Sequence, residues 1–153
     1  MKVFCLLAAP LLFLSTVAHA QTAEQPVKGA DIIVIATPDS SVRALVTFAR
    51  LLQANGIAVD RIDKELLSIT TKPTVLTKAA YASEATYLVV ASPGANSLLT
   101  VTGKASTEVL NRKLNFPASY KGAENGTPLA AFRLMEAAAT AYPNGKITYK
   151  KQP

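Results

Sequence analysis

The chain has no tryptophan, one cysteine and one histidine. The latter two, Cys5 and His19, both stand within the first twenty positions. Residues 21–153 therefore carry neither thiol nor imidazole. Within that stretch this excludes disulfides, thiolate or imidazole metal sites, and nucleophiles of the Ser-His-Asp or Cys-His kind. Clustered basic charge is also lacking. Lys and Arg are scattered, apart from Arg112-Lys113 and Lys150-Lys151. Nucleic-acid readers gather such residues on one face with aromatics interleaved, so no nucleic-acid partner is expected. Beyond residue 20 no apolar run reaches the roughly 20 residues that a helix needs to span a bilayer.

What is present begins with an export signal. Lys2 supplies a positive start, "VFCLLAAPLLFLSTVA" an apolar core, and Ala18 and Ala20 small residues around a cleavage point before Gln21. This is the grammar of a secretory signal peptide over residues 1–20. A retained anchor would be longer, and this run contains Pro10. A lipoprotein cysteine would follow the apolar core, whereas Cys5 precedes most of it. The mature chain is expected in the periplasm or outside the cell, with membrane contact peripheral at most. Its charge is mildly positive: sixteen Lys and Arg less Lys2, against ten Asp and Glu. Such a balance suits anionic polymer or lipid head groups.

"QTAEQPVKGA" (21–30) reads as a flexible lead-in to a single domain over 31–153. "DIIVIAT" (31–37) is a strand with apolar residues on both faces, which suggests cover on both sides. "PDSSVRALVTFARLLQANG" is a helix, with Asp39 or Ser40 able to cap it. Val42, Leu45, Val46, Ala49 and Leu52 form its apolar stripe, broadened by Phe48 and Leu51. Asn55-Gly56 ends it, because glycine takes the left-handed cap conformation without steric cost. Ile57 and Val59, then Leu67, Ile69 and Thr71, read as two strands around the turn Asp63-Lys64-Glu65-Leu66. Residues 72–83 read as a loop with room for one helical turn, 84–92 and 97–106 as strands joined by "PGAN", and 107–126 as irregular. Thr127 is placed as the N-cap of a second helix, with Pro128 at its first position. Leu129, Phe132, Met135, Ala138 and Ala139 form that helix's buried stripe. "PNG" (143–145) stops the helix, and "KITYKK" supplies a last strand.

Several clusters could carry chemistry. Asp60, Asp63 and Glu65 crowd one turn, but a general acid needs burial or a like charge to raise its pKa. Arg61 and Lys64 do the reverse, so these three read as turn residues. The junction "ATPDSSVR" offers Thr37, Ser40, Ser41 and Arg43 at a helix start, where an anion could sit. Asp39 opposes that, and no glycine-rich turn is present. "SPGANS" (92–97) holds Gly94, Asn96 and two serines at a tip of the kind that contacts partners. No serine has a lysine three positions on, as a helical Ser-Lys pair would require. Asn125-Gly126-Thr127 matches a glycosylation sequon. Tyr81, Tyr87, Tyr120, Tyr142 and Tyr149 read as amphipathic residues at a core edge. Arg133 and Glu136 read as a solvated helix face. No catalytic, metal or cofactor residue is assigned.

"DIIVIATPDSSVRALVTFARLLQANGIAVDRIDKELLSITT" resembles small exported domains of the helix-grip or TATA-binding-protein-like kind. The repeated domain in the C-type lipoprotein of the bacterial β-barrel assembly machinery is an example. The shared pattern is an extended segment, a capped helix, "NGI-V", a turn and "SITT". It implies a fold and no catalytic motif, and that lipoprotein's lipidated cysteine has no counterpart here.

The expected architecture is α+β, a mainly antiparallel sheet with two helices packed on one face. The alternative is a parallel flavodoxin-like α/β sheet, in which "DIIVIAT–helix–GIAVDRID" forms a βαβ unit. Two functions fit. One is a non-enzymatic envelope or secreted module that binds a protein, a polymer or a small ligand. The other is a hydrolase or transferase using Asp, Glu, Lys or Tyr. The second requires two of Asp60, Glu84, Glu108, Glu124 and Glu136 to meet in a concavity, with at least one of them desolvated.

Overall fold

A computed structural model describes residues 22–77, 79, 82–120 and 126–152. The signal segment with Cys5 and His19, and also Tyr81, Glu124 and Asn125, lie outside the described residues. The expectations placed on them are not addressed by the structure.

The elements run β1 (Thr22–Ala23), β2 (Ile32–Thr37), α1 (Ser41–Ala54), β3 (Val59–Asp63), β4 (Ser68–Thr71), β5 (Thr74–Val75), β6 (Ser83–Ala91), β7 (Ser97–Val109), β8 (Arg112–Pro117), α2 (Thr127–Thr140) and β9 (Lys146–Lys150). They form one α+β sheet in the order β1-β9-β2-β7-β6-β4-β3, with β5 beside β6 and β8 beside β7. Every pairing among the described strands is antiparallel. The parallel alternative fails on topology. β2 lies between β7 and β9, whereas β3 is at the far edge, so the two strands flanking α1 are not neighbours.

Strand alternation places Ile33, Ile35, Val89, Leu99, Val101 and Ile69 on one face, where all are fully buried. They form one cluster with Leu45, Phe48 and Leu52 of α1 and with Phe132, Met135 and Ala138 of α2. Both helices therefore cover the same side. The stripe of α2 is the expected one. That of α1 is rotated: Ser41, Ala44, Leu45, Phe48, Ala49 and Leu52 are buried, and Val42 is 42% exposed. Helical periodicity placed the stripe within one step, and packing chose its centre.

Other local differences have physical causes. Residues 107–126, expected to be irregular, contain the end of β7 and all of β8, joined through Leu110 and Asn111. Both turn residues have positive φ, 50° and 61°. Positive φ at both central positions defines the type I′ turn that suits hairpin twist. The 72–83 loop contains β5, whose Thr74 and Val75 pair with Ala85 and Glu84. In the lead-in, Thr22 and Ala23 pair with Lys150 and Tyr149, and Ala30 is fully buried. Part of that segment is thus attached to the fold rather than flexible. Gly126, not Thr127, is the N-cap of α2, and no side chain caps either helix. The Thr127 hydroxyl meets Ser83 Oγ at 3.0 Å instead.

Candidate functional site

The sheet has a second face, on which no helix of the described residues packs. Register builds it from strands distant in sequence. Ile32, Thr102 and Leu88 are aligned across β2, β7 and β6, and Val34, Thr100 and Val90 form the next row. A third row holds Ala36 and Leu98. Leu88, Val90 and Leu98 are 42, 41 and 49% exposed. An antiparallel sheet with a solvated face normally alternates apolar inward with polar outward. The three central strands break that rule. In these three rows their outward positions are apolar or threonine.

Charges surround this field. Lys150, Thr148 and Lys146 of β9 pair with Ile32, Val34 and Ala36 on one side. On the other side Thr70 and Ser68 of β4 follow Leu88 and Val90, with Arg61 and Asp63 beyond them. Lys104, paired with Thr86, closes one end. The rim thus carries Lys104, Lys146, Lys150 and Arg61. Lys146 lies 3.5 Å from Glu24. Asp63 Oδ1 accepts the backbone N–H groups of Glu65 and Leu66 at 3.0 and 2.9 Å, the turn role expected for it.

Past Lys104 the face becomes polar. There Glu84 and Glu108 line one shallow groove of about 230 Å³ with Ser106, Thr107 and Lys113. Two of the candidate carboxylates therefore do share a concavity. Both side chains are exposed, and Glu108 stands opposite Lys113 in the β7–β8 pairing. The groove is smaller than the roughly 300–1,000 Å³ of ordinary ligand pockets. It supplies convergence without desolvation, half of what acid–base chemistry needs. Asp60 is exposed at the irregular register of the β3 edge, away from this groove.

Glu136 occupies a different place. Its side chain is only 12% exposed. It accepts a hydrogen bond from Arg133 at 2.7 Å and one from the Tyr149 hydroxyl at 3.0 Å. Arg133 stacks over Tyr120 at 4.9 Å. The expected solvated face is thus true of Arg133 and not of Glu136, which joins α2 to β9. Burial, reinforced by the Glu136 charge, pushes the Tyr149 hydroxyl up to about 12. The hydrogen bond to Glu136 holds the Arg133 guanidinium above its ordinary range.

The two loops considered for anion or partner contact prove to be one unit. Ser41 N and Oγ both donate to the Gly94 carbonyl, Ser41 Oγ also donates to Ser92 O at 2.7 Å, and Ser97 Oγ donates to Asp39 O at 2.8 Å. The Gly94 carbonyl thus occupies the place an anion would take at the α1 N-terminus. Asp39 itself accepts from Tyr142 at 2.9 Å and pairs with Arg43 at 3.2 Å. Burial raises Tyr142, with Asp39 adding to it against an opposing hydrogen bond from Thr37. Tyr87, raised by burial, donates to Ala131 O at 3.0 Å. Tyr87 thus joins β6 to α2, and Tyr142 joins the turn after α2 to the β2–α1 junction. Among the described residues no helix is long and apolar enough to cross a membrane, and no three His, Cys, Asp or Glu side chains gather as a metal site.

The sequence reasoning missed the outer field as a surface. Its one local signal was the two-sided apolarity of "DIIVIAT".

No family model matches the chain, and no curated protein does. Among solved structures, the crystal structure of a DUF4468 family protein from Bacteroides ovatus is similar to it. The identity is 14% and the TM-score 0.37, over 78% of this chain and 91% of that one.

Proposed function

We propose that the chain is an exported, non-enzymatic interaction module of the cell envelope or secreted space, which binds through the outer face of its sheet. The observation carrying this reading is the outer face of β2, β7 and β6, where Leu88, Val90 and Leu98 are exposed, Ile32 and Ala36 half-buried and Val34 buried, with no covering layer among the described residues. Contiguous exposed apolar surface on a folded chain marks an interaction site more often than isolated exposed residues do. Its burial by a partner is favourable by about 25 cal/mol per Å² of apolar area. Export rests on the signal-peptide grammar of residues 1–20.

The enzymatic reading keeps one supporting observation, the shared groove of Glu84 and Glu108. Both side chains are exposed, so the groove lacks the desolvated carboxyl group that this reading requires.

The test combines two measurements on protein recovered from intact cells. N-terminal sequencing is expected to begin at Gln21. A photo-reactive residue at position 98 is expected to yield a discrete adduct, and one at exposed Leu66 is expected to yield none. A start at Met1 overturns export. Equal labelling from both positions, with turnover of a substrate by the purified protein, overturns the binding module.

A further inference from the structure

The field, uncovered among the described residues, has a definite footprint. Two outward rows span three strands, β6, β7 and β2, and a third spans β7 and β2 only. Neighbouring strands lie about 4.8 Å apart and outward residues recur about every 6.8 Å along a strand, so the field measures roughly 10 by 14 Å between its outermost Cα positions. A helix is about 10–12 Å across with its side chains, and three turns span about 16 Å. One short helix fits the field. α1 and α2 cover the opposite face of the same sheet in this way.

The rim states the charge of that helix. Lys104, Lys146, Lys150 and Arg61 border the field, against Asp63, held in its own turn, and Glu24, which pairs with Lys146. A ligand helix with an apolar stripe and carboxylates on both flanks would bury Leu88, Val90 and Leu98 while facing those cations. A second copy of the chain fits less well. Its rim would bring like charges together, and the field is well short of the roughly 800 Å² per partner of a standard stable interface. A bilayer also fits less well, because Thr100 and Thr102 stand between the apolar side chains of β2 and β6 and interrupt the apolar surface.

From footprint and rim together, we propose that the outer face docks one amphipathic, acid-flanked helix of a partner protein as a third layer on the sheet. The inference rests on the binding-module reading and specifies its partner. Such docking is the helix-in-groove mode of recognition, with a sheet floor in place of a groove.

The test uses a synthetic 14-residue amphipathic peptide with a leucine stripe and glutamate flanks, and its lysine-flanked counterpart, titrated into the protein recovered from cells. The glutamate peptide is expected to bind at least tenfold tighter, and its binding is expected to weaken as salt rises. Val90→Lys and Leu98→Lys, checked for unchanged melting, are expected to remove binding. Lys104→Glu with Lys150→Glu is expected to invert the preference between the peptides. No binding of the glutamate peptide overturns the inference, as does equal binding of the two. Preferential binding to phosphatidylglycerol vesicles, or self-association through this face, also overturns it. Should the peptide fail while position 98 still yields its adduct in cells, the helix is excluded and the module stands. Loss of both excludes both.

Discussion

Tyr149 donates its hydroxyl to Glu136 across 3.0 Å, joining the last strand to the flank of α2, where Arg133 holds the other carboxylate oxygen at 2.7 Å. Glu136 therefore links an edge-side strand to the helix layer. Tyr149→Phe removes one of its two partners and is expected to cost about 1.5–3 kcal/mol, the range for a hydrogen bond to a charged group. Urea denaturation near pH 8 measures it.

The same tyrosine sets an alkaline limit. Its hydroxyl is held at about 12 in the fold, against about 10 in an unfolded chain. A group with a raised folded pKa contributes stability in full below the unfolded value and loses it as pH rises through the folded one. Stability is therefore expected to fall between about pH 10 and 12, with Tyr87 and Tyr142 shifted in the same direction. The fall is expected to be smaller in Tyr149→Phe. Urea midpoints at pH 8, 10 and 11 check it.

Gly103 stands where one edge of β7 passes from β2 to β8. A Cβ there would lie 2.8 Å from the Tyr87 ring and 2.9 Å from Ala118 Cβ. Gly103→Ala is expected to destabilise by about 1–3 kcal/mol through overpacking. Thermal melting reads the loss.

Leu110 is 92% exposed with φ at 50°. A leucine there is strained, and its side chain is left in water. Leu110→Asn, a residue that tolerates the left-handed conformation, is expected to stabilise the hairpin by up to about 1 kcal/mol. A higher melting temperature is the expected readout.

Glu84→Gln with Glu108→Gln is expected to leave stability within about 0.5 kcal/mol, as for surface changes away from special features. Adduct formation from position 98 is expected to be unchanged. Loss of a measurable turnover in this variant would favour the enzyme reading instead.

Local signals carried much of the fold. Asn55-Gly56, with Gly56 at φ 77°, ended α1 as read. Asp63 made its turn, and Leu129, Phe132, Met135, Ala138 and Ala139 formed the buried stripe of α2. The β7–β8 hairpin was invisible because "KASTEV" and "RKLNFP" have charged outward positions and few large apolar inward ones. Its turn is Leu110-Asn111, without the usual glycine. The cap expected of Thr127 gave way to a hydroxyl contact with Ser83, a partner 44 residues away. The outer field had the weakest signal of all. Ile32, Thr102 and Leu88 become neighbours only through pairings of distant strands, and no window of sequence contains them together.

Hydroxyl-radical footprinting in intact cells, against the purified protein, tests the central claim most directly. The account predicts that Leu88, Val90 and Leu98 are protected in cells, with Leu66 and Val75 labelled equally in both settings. Equal labelling of the three outer-face residues would contradict it.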